Sequence, residues 1–229
     1  MTESATVEDA LRTRRSCRAF LPTPVPRATI ERLLTFAARS PSNANGQPWQ
    51  VHVLTGAAKQ ALTDDLLATY DSTGPAPAGE YDYQPPPDQW PEPFRSRRRG
   101  FGESLYRDTL GIAPGDTEAR RAHHRRNYAF FGAPVGLVVT VSRAPRQSAL
   151  IDAGLFLQSL MLAARALDLH TCAQACFIDF APVLRRHLVI PEHQLIVCGM
   201  AIGHCDDTHP LDEHRTVREP VASFATFYG

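Results

Sequence analysis

The residues best suited to chemistry form one short segment near the N-terminus, Arg14-Arg15-Ser16-Cys17-Arg18-Ala19-Phe20. Arg14, Arg15 and Arg18 bring three guanidinium groups, and Ser16 adds a hydroxyl. A guanidinium presents a planar fork of N–H donors that matches the oxygens of a phosphate. Taken alone, such a segment is more often a solvated basic turn. It predicts a phosphate-binding site only in combination with a second motif.

A second polar segment, Pro41-Ser42-Asn43-Ala44-Asn45-Gly46-Gln47-Pro48-Trp49, follows about two dozen residues later. Its amide side chains both donate and accept hydrogen bonds, and its prolines stiffen the backbone. An ordinary turn between a helix and a strand is the simpler explanation for such a loop. Together, however, the two segments could bind a phosphate through the guanidinium groups and the edge of a heteroaromatic ring through the amides. A bound flavin nucleotide needs both.

These segments resemble the nitroreductase family of flavin mononucleotide (FMN) enzymes, whose motifs read R-x-S-x-R/K-x-F and P-S-x-x-N-x-Q-P-W. A third resemblance is the ending Arg215-Thr216-Val217-Arg218-Glu219-Pro220-Val221, which precedes Phe224 and Phe227. The similarity runs over residues 12–229. It implies an α+β fold of the nitroreductase-like type, in which helices surround a small, mostly antiparallel central sheet. It also implies a homodimer with an intertwined C-terminal arm and two FMN molecules between the subunits.

The resemblance implies a role for residues of all three segments. Arg14 and Ser16 would hold the phosphate, and Arg18 would lie near the pyrimidine edge of the ring, where a reduced flavin accumulates negative charge. The 41–47 loop would contact FMN bound mainly by the partner subunit. No catalytic side chain and no metal ligand are expected. The implied cofactor-binding residues are Arg14, Arg15, Ser16, Arg18, Pro41, Ser42, Asn43, Asn45, Gln47, Gln174, Ala175, Arg215 and Arg218.

Gln174 and Ala175 belong to a further segment, His170-Thr171-Cys172-Ala173-Gln174-Ala175-Cys176. It resembles the family stretch G-L-G-T-C-P-Q-A, whose backbone amides face N5 and O4 of the flavin. Here Asp168, Leu169 and His170 stand in place of the usual G-L-G, and Ala173 replaces the proline. A zinc site is disfavoured because zinc takes four ligands and no second cysteine pair lies nearby.

The composition excludes several classes of protein. With 229 residues, the chain is long enough for one sizeable α/β domain, and we expect residues 1–229 to form a single domain. The 24 basic and 24 acidic residues balance, which disfavours nucleic acid and anionic membranes as partners. The nine histidines lack metal-ligand spacing and are expected at the surface.

The N-terminal residues and the cysteines predict a cytoplasmic protein. The first residues are polar and acidic and lack the features of a signal peptide. The five cysteines form no short disulfide framework, which indicates a reducing compartment. The longest apolar tract, residues 149–169, contains Asp152, Gln158 and Arg165 and predicts a buried helix at a two-fold interface rather than a membrane span.

The periodicity of apolar residues predicts most of the regular elements. Helices are expected over Val7–Thr13, 27–38, 57–70, 102–110, 116–127 and 150–167, and strands over 50–55, Val135–Ser142 and 195–203. Residues 72–100 are rich in proline, aromatic residues and arginine. They predict an excursion without regular structure that caps the active site and determines the choice of substrate. The last twenty residues predict an arm that crosses a surface.

The resemblance implies a ping-pong reaction in which NAD(P)H delivers a hydride to the flavin and a nitroaromatic or quinone then takes the electrons. Reductive dehalogenation or ene reduction on the same scaffold remains an alternative. A flavin-binding protein without turnover is another. Nucleic-acid binding through arginines 95–99 and 120–126 is a third, which the neutral net charge disfavours.

Overall fold

An antiparallel sheet forms the centre of the protein in a computed structural model that describes residues 6–74, 79–81 and 83–229. Its four strands are β1 (Trp49–Thr55), β2 (Val135–Ser142), β3 (His170–Gln174) and β4 (Gln194–Gly203). They are ordered β1-β2-β4-β3, and every neighbouring pair is antiparallel. The predicted α+β class with a mostly antiparallel sheet is therefore confirmed.

Helices surround this sheet. They are α1 (Val7–Thr13), α2 (Arg27–Ala37), α3 (Gly56–Thr73), α4 (Phe94–Gly102), α5 (Thr117–Arg125), α6 (Arg146–Ala166) and α7 (Ala181–Leu188). A π-helix, Glu103–Thr109, follows α4 directly. β3 and α7 were not predicted, because the first is only five residues long and the second only eight.

Helices cover both faces of the sheet, so β2 is buried along almost its whole length and is mostly apolar. On one face Leu137, Met200 and Ile202 pack with α2 and α6 through Leu33, Phe156 and Leu160. On the other face Val138, Ile196 and Ala201 pack with Tyr70, Phe177 and Phe180. A strand buried on both sides reads as a continuous hydrophobic run rather than an alternating one, which is why β2 was predicted with its correct bounds.

α6 is the long helix that was predicted for the apolar tract, and it begins earlier, at Arg146. One side, including Ala153, Phe156 and Leu160, is buried in the core. The other side leaves Ile151 and Leu155 exposed. By length and composition alone the helix could also cross a membrane, but its buried side packs against the sheet and α2. This is the arrangement of a core helix with one unpartnered side.

The prediction that the excursion lacks regular structure is only partly correct. The C-terminal end of the excursion is helical, since α4 begins at Phe94. The α-helix predicted over residues 102–110 is instead the π-helix Glu103–Thr109. The nearby prolines do not break α4 because they precede it, with Pro93 at its N-cap. Pro75 and Pro77, which contributed to the prediction, lie outside the described residues.

Two of the five cysteines are joined, contrary to the expectation that the cysteines are reduced. Cys17 forms a disulfide with Cys205, 188 residues further along the chain. The two meet because Phe20 and Cys205 form an isolated antiparallel bridge. Cys172, Cys176 and Cys198 are free thiols. Such a long-range pairing depends on tertiary contacts and has no signal in the cysteine spacing.

Candidate functional site

A cavity of about 420 Å³ lies between the N-terminal arginine segment and the C-terminal segment. Six of the predicted cofactor-binding residues line it: Arg14, Arg15, Ser16, Arg18, Arg215 and Arg218. Phe101 of α4 and His214 also line it. The structure thus brings together two of the three predicted segments.

Positive charge dominates this cavity. Burial, together with the nearby Arg218, lowers the pKa of the Arg14 guanidinium. Burial, Arg215 and Arg165 lower the pKa of Arg15 in the same way. Like charges this close together repel one another, and a bound anion relieves the repulsion. The cavity therefore has the electrostatic character of an anion-binding site.

The individual arginines differ in how far their donors are already engaged. The Arg14 side chain has no hydrogen-bond partner among the described residues. Arg15, by contrast, is paired with Asp212 and lies 3.1 Å from Nε2 of His170. Arg18 donates to the carbonyl of Ser16 at 3.3 Å and lies over the ring of Phe101. Arg14 therefore has the most donors left for a ligand.

The two C-terminal arginines are held by the backbone of their own segment. Arg215 donates to the carbonyl oxygens of Asp212 and His214. Arg218 donates to the carbonyl oxygens of Thr216 and Val217, at 3.2 and 3.0 Å. Each guanidinium has further donors. These contacts therefore orient the side chains and leave other N–H groups available for a ligand.

The 41–47 loop lies elsewhere in the chain and does not line the cavity. The backbone N–H of Asn43 donates to both carboxylate oxygens of the buried Asp152, at 3.1 and 3.2 Å. The N–H of Gln47 donates to Oγ of Ser42 at 3.0 Å. Pro41, Asn43, Asn45 and Gln47 are exposed and Ser42 is half-buried. One copy of the chain therefore does not unite this loop with the arginines.

The backbone of this loop is strained. Ala44, Asn45 and Gln47 have positive φ angles of 48°, 57° and 45°. Residues other than glycine seldom adopt this left-handed conformation, which costs free energy and recurs at functional sites. The contacts with Asp152 and Ser42 hold the loop in this shape, and Nε2 of Gln47 donates to the Asn45 carbonyl at 3.2 Å.

Gln174 ends β3 beside the arginine segment, but its side chain is buried. Its Nε2 donates to the carbonyl of Asn127 at 2.5 Å, and its Oε1 has no partner among the described residues. Ala175 begins the 3-10 turn Ala175–Phe180. Neither residue lines the cavity, so any contact with a ligand there would come from the backbone at the end of β3.

The cysteines near β3 have the properties of core residues. Burial raises the pKa of Cys176 and of Cys198 to about 12, so both remain protonated thiols at neutral pH. Among the described residues no cluster of His, Cys, Asp and Glu could hold a metal ion.

The prediction of surface histidines is wrong for His123 and His214, which are both buried. His123 packs against Tyr106 and Phe131, and burial with the nearby Arg126 and Arg18 lowers its pKa to about 4. His214 forms part of the cavity wall. Its position beside Arg215, within a segment already assigned to the site, was the one signal that could have singled it out.

Phe101 was also missed, because it directly follows the 72–100 excursion, where the family motifs give the least guidance. It lies against Arg18 and meets the ring of His214 edge to face, at 5.9 Å between centroids. It thereby joins α4 to the cavity.

Comparison with known proteins gives consistent matches along the chain. The sequence model described as the nitroreductase family matches residues 11–204. A 4-nitrobenzoate reductase of Nocardioides sp. (strain LMS-CY) is 52% identical, over 95% of this chain and 87% of that protein. A chloronitrobenzene nitroreductase of Comamonas testosteroni is 36% identical over 99% of both chains. The crystal structure of an FMN and NADPH-dependent nitroreductase, NfnB from sphigopyxis sp. strain HMH, superposes with a TM-score of 0.92. It is 37% identical and covers 98% of this chain and 100% of its own.

Proposed function

This chain belongs to the nitroreductase family, and on that premise we propose that it is an FMN-dependent oxidoreductase. It uses NAD(P)H to reduce an electron-poor acceptor, a nitroaromatic or a quinone. The arginine-lined cavity is the observation that carries the proposal. The relatives named as 4-nitrobenzoate reductases make a nitroaromatic acid the first acceptor to test.

The residues of the cavity fit a flavin nucleotide. A phosphate needs positive charge and donors, and Arg14 has unengaged donors close to Arg218 and Ser16. These three residues would hold the phosphate. Arg18 would lie beside the ring, where a fixed cation stabilises negative charge on a reduced ligand.

Bound FMN would supply the redox chemistry, accepting a hydride from NAD(P)H and passing two electrons to the acceptor in ping-pong order. The chain itself binds and orients. The hydrogen bonds that hold Arg215 and Arg218 to their own backbone keep the cationic wall in place. The ring of Phe101 lies against one side of the Arg18 guanidinium. No side chain needs to act as a nucleophile.

The active protein is proposed to be a homodimer. The C-terminal residues Val217, Phe224, Phe227 and Tyr228 are largely exposed, and Ile151 and Leu155 on α6 are also exposed. Large apolar side chains in such number favour burial against another surface. A second copy of the chain would cover them and bring its 41–47 loop to the cavity, which completes the predicted set of cofactor contacts.

The excursion over residues 72–100 is proposed to cap the site within a single domain spanning residues 1–229. An ion pair at 3.0 Å joins Arg97 of α4 to Glu219 of the C-terminal segment. Phe101 at the end of α4 reaches the cavity itself. The capping segment is therefore tied to the segment that would hold the phosphate. We place the enzyme in the cytoplasm, where NAD(P)H is available.

The test is an absorption spectrum followed by anaerobic reduction. The purified protein should be yellow, or become so with added FMN, and NADPH or NADH should bleach it within minutes. Reoxidation by 4-nitrobenzoate, a quinone and a halophenol then identifies the acceptor. Preferential turnover of the halophenol, or of an activated alkene, would indicate one of the other flavin reactions. A yellow protein that neither nicotinamide reduces would be a flavin binder without turnover.

A further inference from the structure

One buried side chain in the cavity wall has an unsatisfied polar atom. His214 is 9% exposed, and its Nε2 has no hydrogen-bond partner among the described residues. Its other ring nitrogen, Nδ1, lies 3.0 Å from Oγ1 of Thr109. A buried polar atom without a partner destabilises the protein unless a ligand or water satisfies it.

The partner of Thr109 determines which ring nitrogen of His214 is protonated. Oγ1 of Thr109 also lies 2.9 Å from the carbonyl oxygen of Ser104, which can only accept. The single hydroxyl proton of Thr109 is therefore used on Ser104. Toward His214 the hydroxyl oxygen can act only as an acceptor, so Nδ1 carries the proton and donates it. In the neutral ring Nε2 is then unprotonated and is an acceptor.

The surroundings keep this ring neutral. Burial and the nearby Arg18 and Arg215 lower the pKa of His214 below its ordinary value. Neither guanidinium donates a hydrogen bond to Nε2. Nε2 of His214 is therefore a neutral acceptor without a partner in the wall of a strongly cationic cavity, and it suits a ligand with a hydrogen-bond donor.

We propose that His214 is a further ligand-binding residue of this site and that its Nε2 accepts a hydrogen bond from a neutral donor of the bound flavin. The inference rests on the proposed function. A dianionic phosphate has no proton to donate, so the donor is a hydroxyl of the ribityl chain or the imide N–H of the ring. Thr109 is a positioning residue, which fixes the tautomer through its bond to Ser104.

The π-helix is the element that makes this arrangement available. Thr109 and Ser104 are both within Glu103–Thr109, and Leu110 N–H bonds to the carbonyl of Leu105, five residues earlier. Short π-helical segments occur often at functional sites. In this chain the segment follows α4 and presents Thr109 to the histidine.

The first test is a fluorescence titration of the flavin-free protein with FMN. His214→Phe keeps a flat ring but removes the acceptor, and we expect about tenfold weaker binding. His214→Gln retains an acceptor at a similar distance and should stay within about threefold of the parent. His52→Phe is the matched control, because Nε2 of His52 is also buried without a partner but faces a separate cavity beside Val53 and Leu188. It should bind FMN like the parent.

Equal affinity of the parent and His214→Phe would overturn the inference while leaving the proposed function intact. A parent protein that binds no FMN at all would instead overturn the proposed function, and the inference with it. The two failures are therefore distinguishable in one experiment.

A second measurement does not depend on whether a variant folds. In the parent protein with ¹⁵N-labelled histidine, the His214 spectrum should show a protonated Nδ1 and an unprotonated Nε2. The Nε2 resonance should then move on addition of FMN in the direction of an accepted hydrogen bond. A ring protonated at Nε2 would overturn the inference.

Flavin analogues identify the donor. If the imide N–H is the donor, the parent protein should bind 3-methyl-FMN about tenfold more weakly than FMN. His214→Phe should bind the two flavins with equal affinity. If a ribityl hydroxyl is the donor, the corresponding deoxyribityl analogue should show this pattern. An equal loss with both proteins for every analogue would contradict a contact with His214.

Discussion

Ser16 and Thr171 form an isolated parallel bridge, and the N–H of the next residue, Cys17, donates to the Thr171 carbonyl at 3.0 Å. The arginine segment is thereby hydrogen-bonded to β3. Two segments that lie far apart in the sequence become neighbours, and β3 continues from this bridge to Gln174. β3 thus connects the arginine segment proposed to bind the phosphate with the backbone expected to face the flavin ring.

Replacement of Arg14 should weaken the binding of FMN. Arg14→Ala removes a charge-assisted contact, for which we expect a loss of about 1.5–3 kcal/mol, or roughly ten- to a hundredfold in affinity. Flavin content after purification and fluorescence titration measure the change. Arg27→Ala is the matched control, because the Arg27 side chain is 91% exposed, paired with Glu31 and absent from the cavity wall. Equal flavin affinity in Arg14→Ala and Arg27→Ala would contradict the role of Arg14.

Replacement of Arg18 should change the flavin potential more than its occupancy. A fixed cation favours the reduced, more negative cofactor, so Arg18→Ala should lower the two-electron midpoint potential by about 30 mV or more. Arg18→Lys keeps the charge and should retain most of the parental potential. Spectroelectrochemical titration measures all three proteins. A potential in Arg18→Ala equal to that of the parent would remove Arg18 from this role.

The buried His123 should make the protein sensitive to acid. Its pKa is about 4 in the folded protein, below its value of 6.5 in the unfolded chain, so the unfolded chain binds more protons between these values. The free energy of unfolding therefore falls as the pH drops from 6.5 to 4, by at most about 3 kcal/mol from this residue. His123→Phe keeps the aromatic contacts with Tyr106 and Phe131 and should flatten the dependence.

Urea denaturation at pH 4.5, 5.5 and 6.5 gives the required free energies. The exposed His193 provides the control, and His193→Gln should leave the slope unchanged. A slope in His123→Phe as steep as that of the parent would show that other groups cause the acid sensitivity.

The close approach of Phe177 to Gly199 leaves no room for a side chain. A Cβ atom at Gly199 would lie 2.7 Å from the buried ring of Phe177, which belongs to the turn after Gln174. Gly199→Ala should therefore destabilise the protein by about 1–3 kcal/mol. Gly100→Ala is the control, since open space surrounds that position in α4 and alanine favours a helix. Thermal unfolding should show a lower Tm only for Gly199→Ala.

Much of the fold could be predicted because local patterns determine it. Val135–Ser142 was correct to the residue, and α1 likewise, since a buried run and a short amphipathic stretch each have a clear periodicity. β3 was missed because its five residues have no such pattern and become a strand only through pairing with β4. The start of α4 was not predicted, because the prolines of the excursion indicated an irregular segment.

By itself, the sequence determined the family and the kinds of functional group available to the site. The guanidinium and hydroxyl donors of a motif such as Arg14–Arg18 are present whatever surrounds them. Only the tertiary structure decided which donors share a cavity, that Cys17 meets Cys205, and that His214 is buried with an unsatisfied Nε2. Burial and proximity depend on contacts between segments nearly two hundred residues apart. Such contacts arise from packing of the whole chain around one sheet, and no short stretch of sequence contains them.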